Sequence, residues 1–300
     1  MTTAYLAAEG FQDQLAAGLK DVTGVYGRLI VSNAPPKRAA WAQNIWYDVE
    51  TVPIKSVGDA VKQLKARQRS WWPYSHELHR RTMLIQEQLP HVSDAPIKFP
   101  GTPPKHPLGS YLLTDERTML VAQKCSSQYP NGAPQFEEFK IGPPSRAYLK
   151  MFEALTVAGK MPGPGDRCLE LGAAPGGWTW VLVGLGANVI AYDRAELAPE
   201  LMQNPLVTFK QGDAFQAPDK VFAESGQIGW LVSDIICYPE KLYDHVTAWL
   251  ASGLCKNFIC TLKFQGDAHY GVIPKFESIP GSRVLHLHAN KHELTWINLA

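Results

Sequence analysis

The chain has 300 residues, enough for two domains of ordinary size, with 45% hydrophobic residues, 19% charged residues and a formal net charge of +1. This composition excludes a disordered or repetitive polymer, and no apolar run reaches the roughly 18 residues of a membrane span or follows a basic segment as a secretory leader would. A monomeric cytoplasmic protein with no membrane partner is expected. Its five cysteines are odd in number and lack C-x-x-C spacing, so they read as buried free thiols without a metal site.

Residues 4–32 read as strand, helix, strand: AYLAA, then FQDQLAAGL with an apolar face at Phe11, Leu15 and Leu19, then GRLIVS. From Trp41 to Leu89 the pattern is polar and basic, helical around Val61 and Leu64, broken at Pro73 and helical again over Leu78–Leu89. Residues 1–145 hold 16 Lys and Arg against 13 Asp and Glu, whereas the remainder holds 13 against 15. The excess lies between Lys55 and Arg81, where seven basic residues face two acidic ones and Trp71, Trp72, Tyr74, His76 and His79 are interspersed. Lys62, Lys65, Arg67 and Arg69 suit contacts to phosphates, and the three aromatics suit stacking on unpaired bases; a solvated helix ended by core tryptophans fits the same pattern.

The proline-rich stretch PIKFPGTPPKHPLG must be looped or extended, and strands follow at Ser110–Leu113 and Met119–Ala122. Residues 145–160 place Leu149, Phe152, Leu155 and Ala158 at helical spacing, and Pro162 to Gly165 end that helix. Strands and helices then alternate: RCLELG, a helix from Gly177, NVIAYD, LVTFK, WLVSD, the helix PEKLYDHVTAWLA, NFICTLKF, a short helix, RVLHLH and ELTWINL. Such alternation predicts a mostly parallel, doubly wound Rossmann-like sheet over 145–300, its last two strands forming an antiparallel hairpin, behind an α+β region over 1–144. Asp244 and His245 are read as exposed helix residues.

CLELGAAPGGWT runs from an apolar strand through a glycine turn into a helix, which lets backbone amides approach a ligand. Its spacing is wrong for G-x-G-x-x-G, so a nicotinamide or flavin is disfavoured. Asp193 ends the second strand, where it can bind ribose hydroxyls, and Asp213 follows the third, where it can accept from an adenine amino group. These three features in this order suit an adenosine-containing ligand at the carboxyl edge of the sheet.

LELGAAPGGWT resembles the cofactor loop of the FtsJ-type ribose 2′-O-methyltransferases, and within them the ribosomal RNA large subunit methyltransferase M group. The similarity extends through SRAYLKMFEA, WLVSDIICYP, WLASGLCKNFICTLKF and HELTWINL. It implies S-adenosyl-L-methionine as cofactor, with Gly172, Ala174, Pro175, Gly176, Gly177, Trp178, Asp193, Asp213 and Asp234 as its neighbours. It also implies RNA as substrate, a cytidine of 23S rRNA, and a THUMP-like RNA-binding unit at the N-terminus.

Lys150, Asp234, Lys263 and Glu293 follow the family's catalytic order of Lys, Asp, Lys, Glu. The resemblance implies Lys263 as general base and Lys150 as the cation that disfavours its protonation. Asp234 would hold a lysine beside the cofactor, and Glu293 would orient the outer lysine or the ribose; Lys291 and His292 are rival polar neighbours for that last role. Two departures stand out: Ala147 lies where relatives commonly read Ser-Arg-Ser-Thr, and the segment between Lys263 and Glu293 is shorter than theirs. The competing classes are a small-molecule or protein methyltransferase and a non-catalytic RNA-binding protein with a vestigial methyltransferase fold.

Overall fold

A computed structural model describes residues 1–101, 104, 106–215, 223, 225–264 and 270–300. The chain divides into two compact units, Met1–Gln135 and Phe136–Ala300. No helix among the described residues is long and apolar enough to cross a membrane.

The first unit opens with β1 (Thr3–Ala7), α1 (Gln12–Gly18), β2 (Val22–Tyr26) and β3 (Leu29–Ser32). The region read as polar and helical begins instead with two strands, β4 (Ala42–Tyr47) and β5 (Glu50–Pro53), before α2 (Val57–Arg67), β6 (Trp71–Pro73) and α3 (His79–Gln86). Their apolar residues are too few and too short in period to stand out in a single sequence. The proline-rich loop follows, with Thr102, Pro103 and Lys105 outside the described residues, and then β7 (Gly109–Asp115), β8 (Thr118–Ala122) and β9 (Lys124–Cys125).

These strands form two sheets, ordered β2-β3-β1-β4-β9 and β5-β8-β7-β6. The period-2 geometry of β7 and β8 makes two cores. Leu112, Leu120 and Ala122 face Ala4, Leu6, Leu29, Val31 and Trp46 of the first sheet. Tyr111, Leu113, Met119 and Val121 pack with Ala60, Val61, Leu64, Trp71 and Ile85 on the helical side.

The second unit contains α4 (Tyr148–Ala158), β10 (Arg167–Leu171), α5 (Gly177–Gly184), β11 (Asn188–Asp193), α6 (Pro199–Met202), β12 (Val207–Gln211), β13 (Ile228–Ser233), α7 (Pro239–Ser252), β14 (Cys255–Lys263), α8 (Ile273–Ser278), β15 (Ser282–Leu285) and β16 (Glu293–Leu299). The sheet order is β12-β11-β10-β13-β14-β16-β15. Strands β10 to β14 pair in parallel, whereas β16 is antiparallel to both of its neighbours. The expected hairpin forms, but its second strand inserts between β14 and its first. That insertion places Glu293 in register with Lys263.

The order reverses between β10 and β13, which is where open α/β sheets bind ligands beyond their carboxyl ends. Helix α4 supports this edge. It buries Tyr148, Lys150, Met151, Phe152, Glu153, Ala154, Leu155 and Thr156, an almost continuous run that sinks two charged residues along with the apolar ones. Phe136 and Phe139 pack edge-on against Phe152, and Phe139 also against Tyr148 and Trp180.

Candidate active site

The turn after β10 is shaped by backbone that a side chain would obstruct. Gly172 has φ +77°, and a Cβ there would lie 2.7 Å from the Ile235 Cα. Gly172 and Ala173 donate to the Tyr192 carbonyl, and Ala174 donates to Asp193 Oδ2 at 2.9 Å. Asp193 Oδ1 accepts from the Ala195 amide at 2.9 Å, so this carboxylate pins the loop while each oxygen keeps a lone pair for a ligand.

A cavity of about 490 Å³ opens beside this turn, of the size that small cofactors occupy. Among the expected cofactor neighbours, Gly172, Ala174, Pro175, Gly177, Trp178, Asp193, Asp213 and Asp234 line it. Gly176 does not: at φ +108° its Cβ position points into Leu201, so only glycine fits beneath α6. Trp178 is buried, and its indole N–H donates to the Ala147 carbonyl at 3.0 Å, tying the start of α4 to α5. Ala147 itself lines the cavity. For Asp213, the Phe215 amide and then the Arg194 guanidinium hold the carboxyl below the usual range.

The four candidate catalytic side chains converge at one rim. Asp234 Oδ1 accepts from Lys150 Nζ at 3.0 Å and lies 3.1 Å from Lys263 Nζ, which also donates to the Asp234 carbonyl at 2.6 Å. Lys150 Nζ lies 2.6 Å from Glu293 Oε1. All four side chains are at most 20% exposed, which keeps solvent from screening them. Asp234 and Lys263 line the cavity; Lys150 and Glu293 stand behind them, beyond its lining. The rival residues are held elsewhere: His292 Nε2 lies 2.8 Å from the Tyr270 hydroxyl, and Lys291 is exposed.

Some polar residues gave no signal that singled them out. Glu170, inside the apolar strand RCLEL, is buried at the cavity wall, accepts from the Thr179 hydroxyl at 2.6 Å and is pushed by burial up to about 8. An acid within an otherwise apolar strand was the available clue. His245, read as exposed, is 4% exposed: its Nε2 accepts from Trp249 Nε1 at 3.2 Å, and burial lowers its pKa to about 4. Its position on α7 places it on the buried stripe with Leu242, Val246 and Trp249. Asp244 is exposed, as read. Among the cysteines, Cys168, Cys255 and Cys260 are buried, Cys125 and Cys237 are partly exposed, and all are free.

Of the three aromatics expected to stack on bases, Trp72 is half-buried and the other two are corrected. Trp71 is fully buried, its indole N–H donating to the Leu64 and Gln68 carbonyls, and Tyr74 is 8% exposed with its hydroxyl accepting from the Arg28 amide. Neither can stack on a base. Lys62, Lys65 and Arg69 are exposed, whereas Arg67 pairs with Glu50 at 3.0 Å.

Known proteins resemble this chain chiefly in its second unit. The FtsJ-like methyltransferase model matches residues 143–266. Ribosomal RNA large subunit methyltransferase M of Halorhodospira halophila is 36% identical over 155 residues, covering 51% of this chain and 44% of that protein. The protein of the same name from Marinomonas sp. is 27% identical over 275 residues, covering 85% and 71%. The chain thus spans less than half the length of the first of these relatives. Aeropyrum pernix fibrillarin with natively bound S-adenosyl-L-methionine aligns at a TM-score of 0.37 and 16% identity, over 62% of this chain and 81% of that one, a likeness too low to carry weight. The matched residues hold the glycine turn and three of the four converging side chains, so the likeness to the FtsJ-like methyltransferases falls on the part of the second unit that builds the site.

Proposed function

We propose that the protein is an S-adenosylmethionine-dependent 2′-O-ribose methyltransferase of RNA, acting on a cytidine of 23S ribosomal RNA. The observation that carries this reading is the bridging carboxylate of Asp234, which gathers a buried and a half-buried lysine at the rim of an adenosine-sized cavity. A small-molecule methyl acceptor that is already nucleophilic would need no such pair.

The cavity residues fit the cofactor. Glu170 offers a buried carboxyl for an ammonium group, Asp193 keeps lone pairs for ribose hydroxyls, and Asp213 offers an acceptor for an adenine amino group. S-adenosylmethionine supplies a methyl group already activated on a sulfonium, so the harder task is the acceptor. A ribose hydroxyl must be oriented and must lose its proton during attack.

Lys263 is the group for that task, since it alone of the two lysines lines the cavity. Its Nζ accepts the hydroxyl proton while the Asp234 carbonyl and carboxylate fix its direction. Lys150, held between Asp234 and Glu293, anchors from behind the Asp234 carboxylate that aims Lys263. Glu293 orients Lys150. The exposed Lys62, Lys65 and Arg69 of the first unit supply phosphate contacts that hold the RNA.

The test is transfer of labelled methyl from S-adenosylmethionine to ribosomal RNA isolated from cells lacking the protein, followed by mapping of the modified nucleotide. A single 2′-O-methylcytidine in 23S rRNA is expected. Label on a base or on protein, or no transfer by a preparation that binds the cofactor, would overturn the reading.

A further inference from the structure

Glu153 is the one acidic residue of α4, and it lies in the core at 3% exposure. Its Oε1 accepts from the His288 amide at 2.7 Å and its Oε2 from the Ala289 amide at 2.9 Å. These two consecutive N–H groups belong to the connection between β15 and β16, the segment that delivers Glu293. Burial pushes the Glu153 carboxyl up to about 7, against the opposing pull of those two amides. An apolar side chain would suit this helix face better on burial alone, because taking a carboxyl out of water is unfavourable unless hydrogen bonds offset the lost hydration.

The geometry gives the carboxyl a purpose. Lys150 and Glu153 are three residues apart and so lie on one face of α4. Lys150 contacts Glu293, and Glu153 clamps the backbone four and five residues before it. The connection is also tied within itself, by His286 Nε2 to the Lys291 carbonyl at 3.0 Å and by Asn290 Nδ2 to Thr295 Oγ1 at 3.1 Å. Glu153 holds this connection to α4 by a bidentate grip, and Arg283 at its β15 end donates to the Val157 carbonyl of the same helix at 3.3 Å.

We propose that Glu153 is a positioning residue for the catalytic quartet: by gripping the His288 and Ala289 amides it fixes the β15–β16 connection against α4, and thereby sets the contact between Glu293 and Lys150. This rests on the proposed methyl-transfer reading for its kinetic consequence, but not for its structural one. Glu153 does not line the cavity, so its effect reaches the reaction through Glu293 and Lys150 and leaves cofactor binding alone.

The test uses Glu153→Gln, which preserves shape but turns an amide donor toward one of two backbone donors, with Glu153→Asp as a second variant should the first fold poorly. Two readouts separate the claims. The first needs no activity: the side-chain carboxyl ¹³C resonance of Glu293, assigned by its loss in Glu293→Gln, should shift in Glu153→Gln in the same direction as in Lys150→Met. An unmoved Glu293 resonance in either Glu153 variant overturns the proposal whatever the enzyme does.

The second readout is single-turnover methyl transfer in a double-mutant cycle. Glu153→Gln should slow transfer by roughly 10- to 100-fold at unchanged S-adenosylmethionine affinity, the scale of a displaced catalytic group. Glu153→Gln combined with Glu293→Gln should be no slower than Glu293→Gln alone. Fully additive losses would show that Glu153 acts by general stability and overturn the proposal. Should the wild-type protein transfer no methyl to RNA, the functional reading falls, and the carboxyl resonance alone decides the role of Glu153.

Discussion

Between Lys55 and Arg81 and at the carboxyl edge of the second sheet, the chain concentrates polar and aromatic side chains in comparable density, yet folding sorts them in opposite directions. In the first region Trp71 and Tyr74 go inside, while Lys62, Lys65 and Arg69 stay in solvent. At the sheet edge the charged residues go inside, and Lys150, Asp234, Lys263 and Glu293 become mutual partners at 9–20% exposure. The difference is topological. A surface helix can leave its cations in water, whereas the ends of the parallel strands β13 and β14, the start of the antiparallel β16 and the helix α4 deliver residues distant in sequence to one point. Buried charge that is paired in this way contributes little net stability and points to chemistry instead.

The comparison breaks first, and most strongly, if Trp71 is not core. Trp71→Ala should destabilise the first unit by about 3–5 kcal/mol in denaturant unfolding; a loss below about 1 kcal/mol would place the indole at the surface and restore it as a stacking platform. Next in size is the cavity wall, where Asp213→Ala should weaken S-adenosylmethionine binding roughly 10- to 100-fold, the scale of a charged hydrogen bond. Calorimetry showing unchanged affinity would remove Asp213 from the site.

The buried imidazole of His245 gives a pH signature of intermediate size. Its pKa is near 4 in the folded chain against an ordinary 6.5, because burial disfavours the cation. Between those values the unfolded chain binds more protons, so this group makes stability fall as pH drops from 6.5 toward 4. His245→Gln should flatten unfolding free energy over that window; an identical slope in the variant would mean the imidazole is solvated. The smallest effects belong to the basic segment. Arg67→Ala should cost less than about 1 kcal/mol, since its partner Glu50 is 47% exposed. Replacing Lys62, Lys65 and Arg69 together by Ala should reduce the salt slope of RNA binding by roughly 2, with cofactor affinity unchanged.

Much of the second unit was legible because its signals are local. Apolar strands of five or six residues ending in Gly172, Asp193 and Asp234 announce both the sheet and the edge where its ligand sits. The insertion of β16 beside β14 was not legible, because a hairpin pattern does not say which of its strands pairs with the existing sheet, and so the register of Glu293 with Lys263 came only from the fold. Glu153 was hidden for a different reason: on a helix buried almost all round, an acid at one position reads as a surface residue until the amides it grips are in place. In the first unit β4 and β5 were missed because their burial follows no period-2 alternation, with Asn44, Ile45 and Trp46 buried in succession and Val52 alone in β5, and His245 because one polar residue on a buried stripe looks like part of the exposed face.

The proposed role of Lys263, as the group that takes the hydroxyl proton, is tested most directly by single-turnover methyl transfer to 23S rRNA fragments across pH at equal bound cofactor. Lys263→Ala and Lys263→Arg should both lose roughly 10²- to 10⁴-fold in the transfer step with S-adenosylmethionine affinity changed by no more than a few-fold. Arginine keeps the charge and can still reach Asp234, but a guanidinium does not give up its proton at accessible pH and cannot serve as the base. Near-normal turnover by Lys263→Arg would contradict the account and leave Lys263 as a fixed charge that positions the ribose.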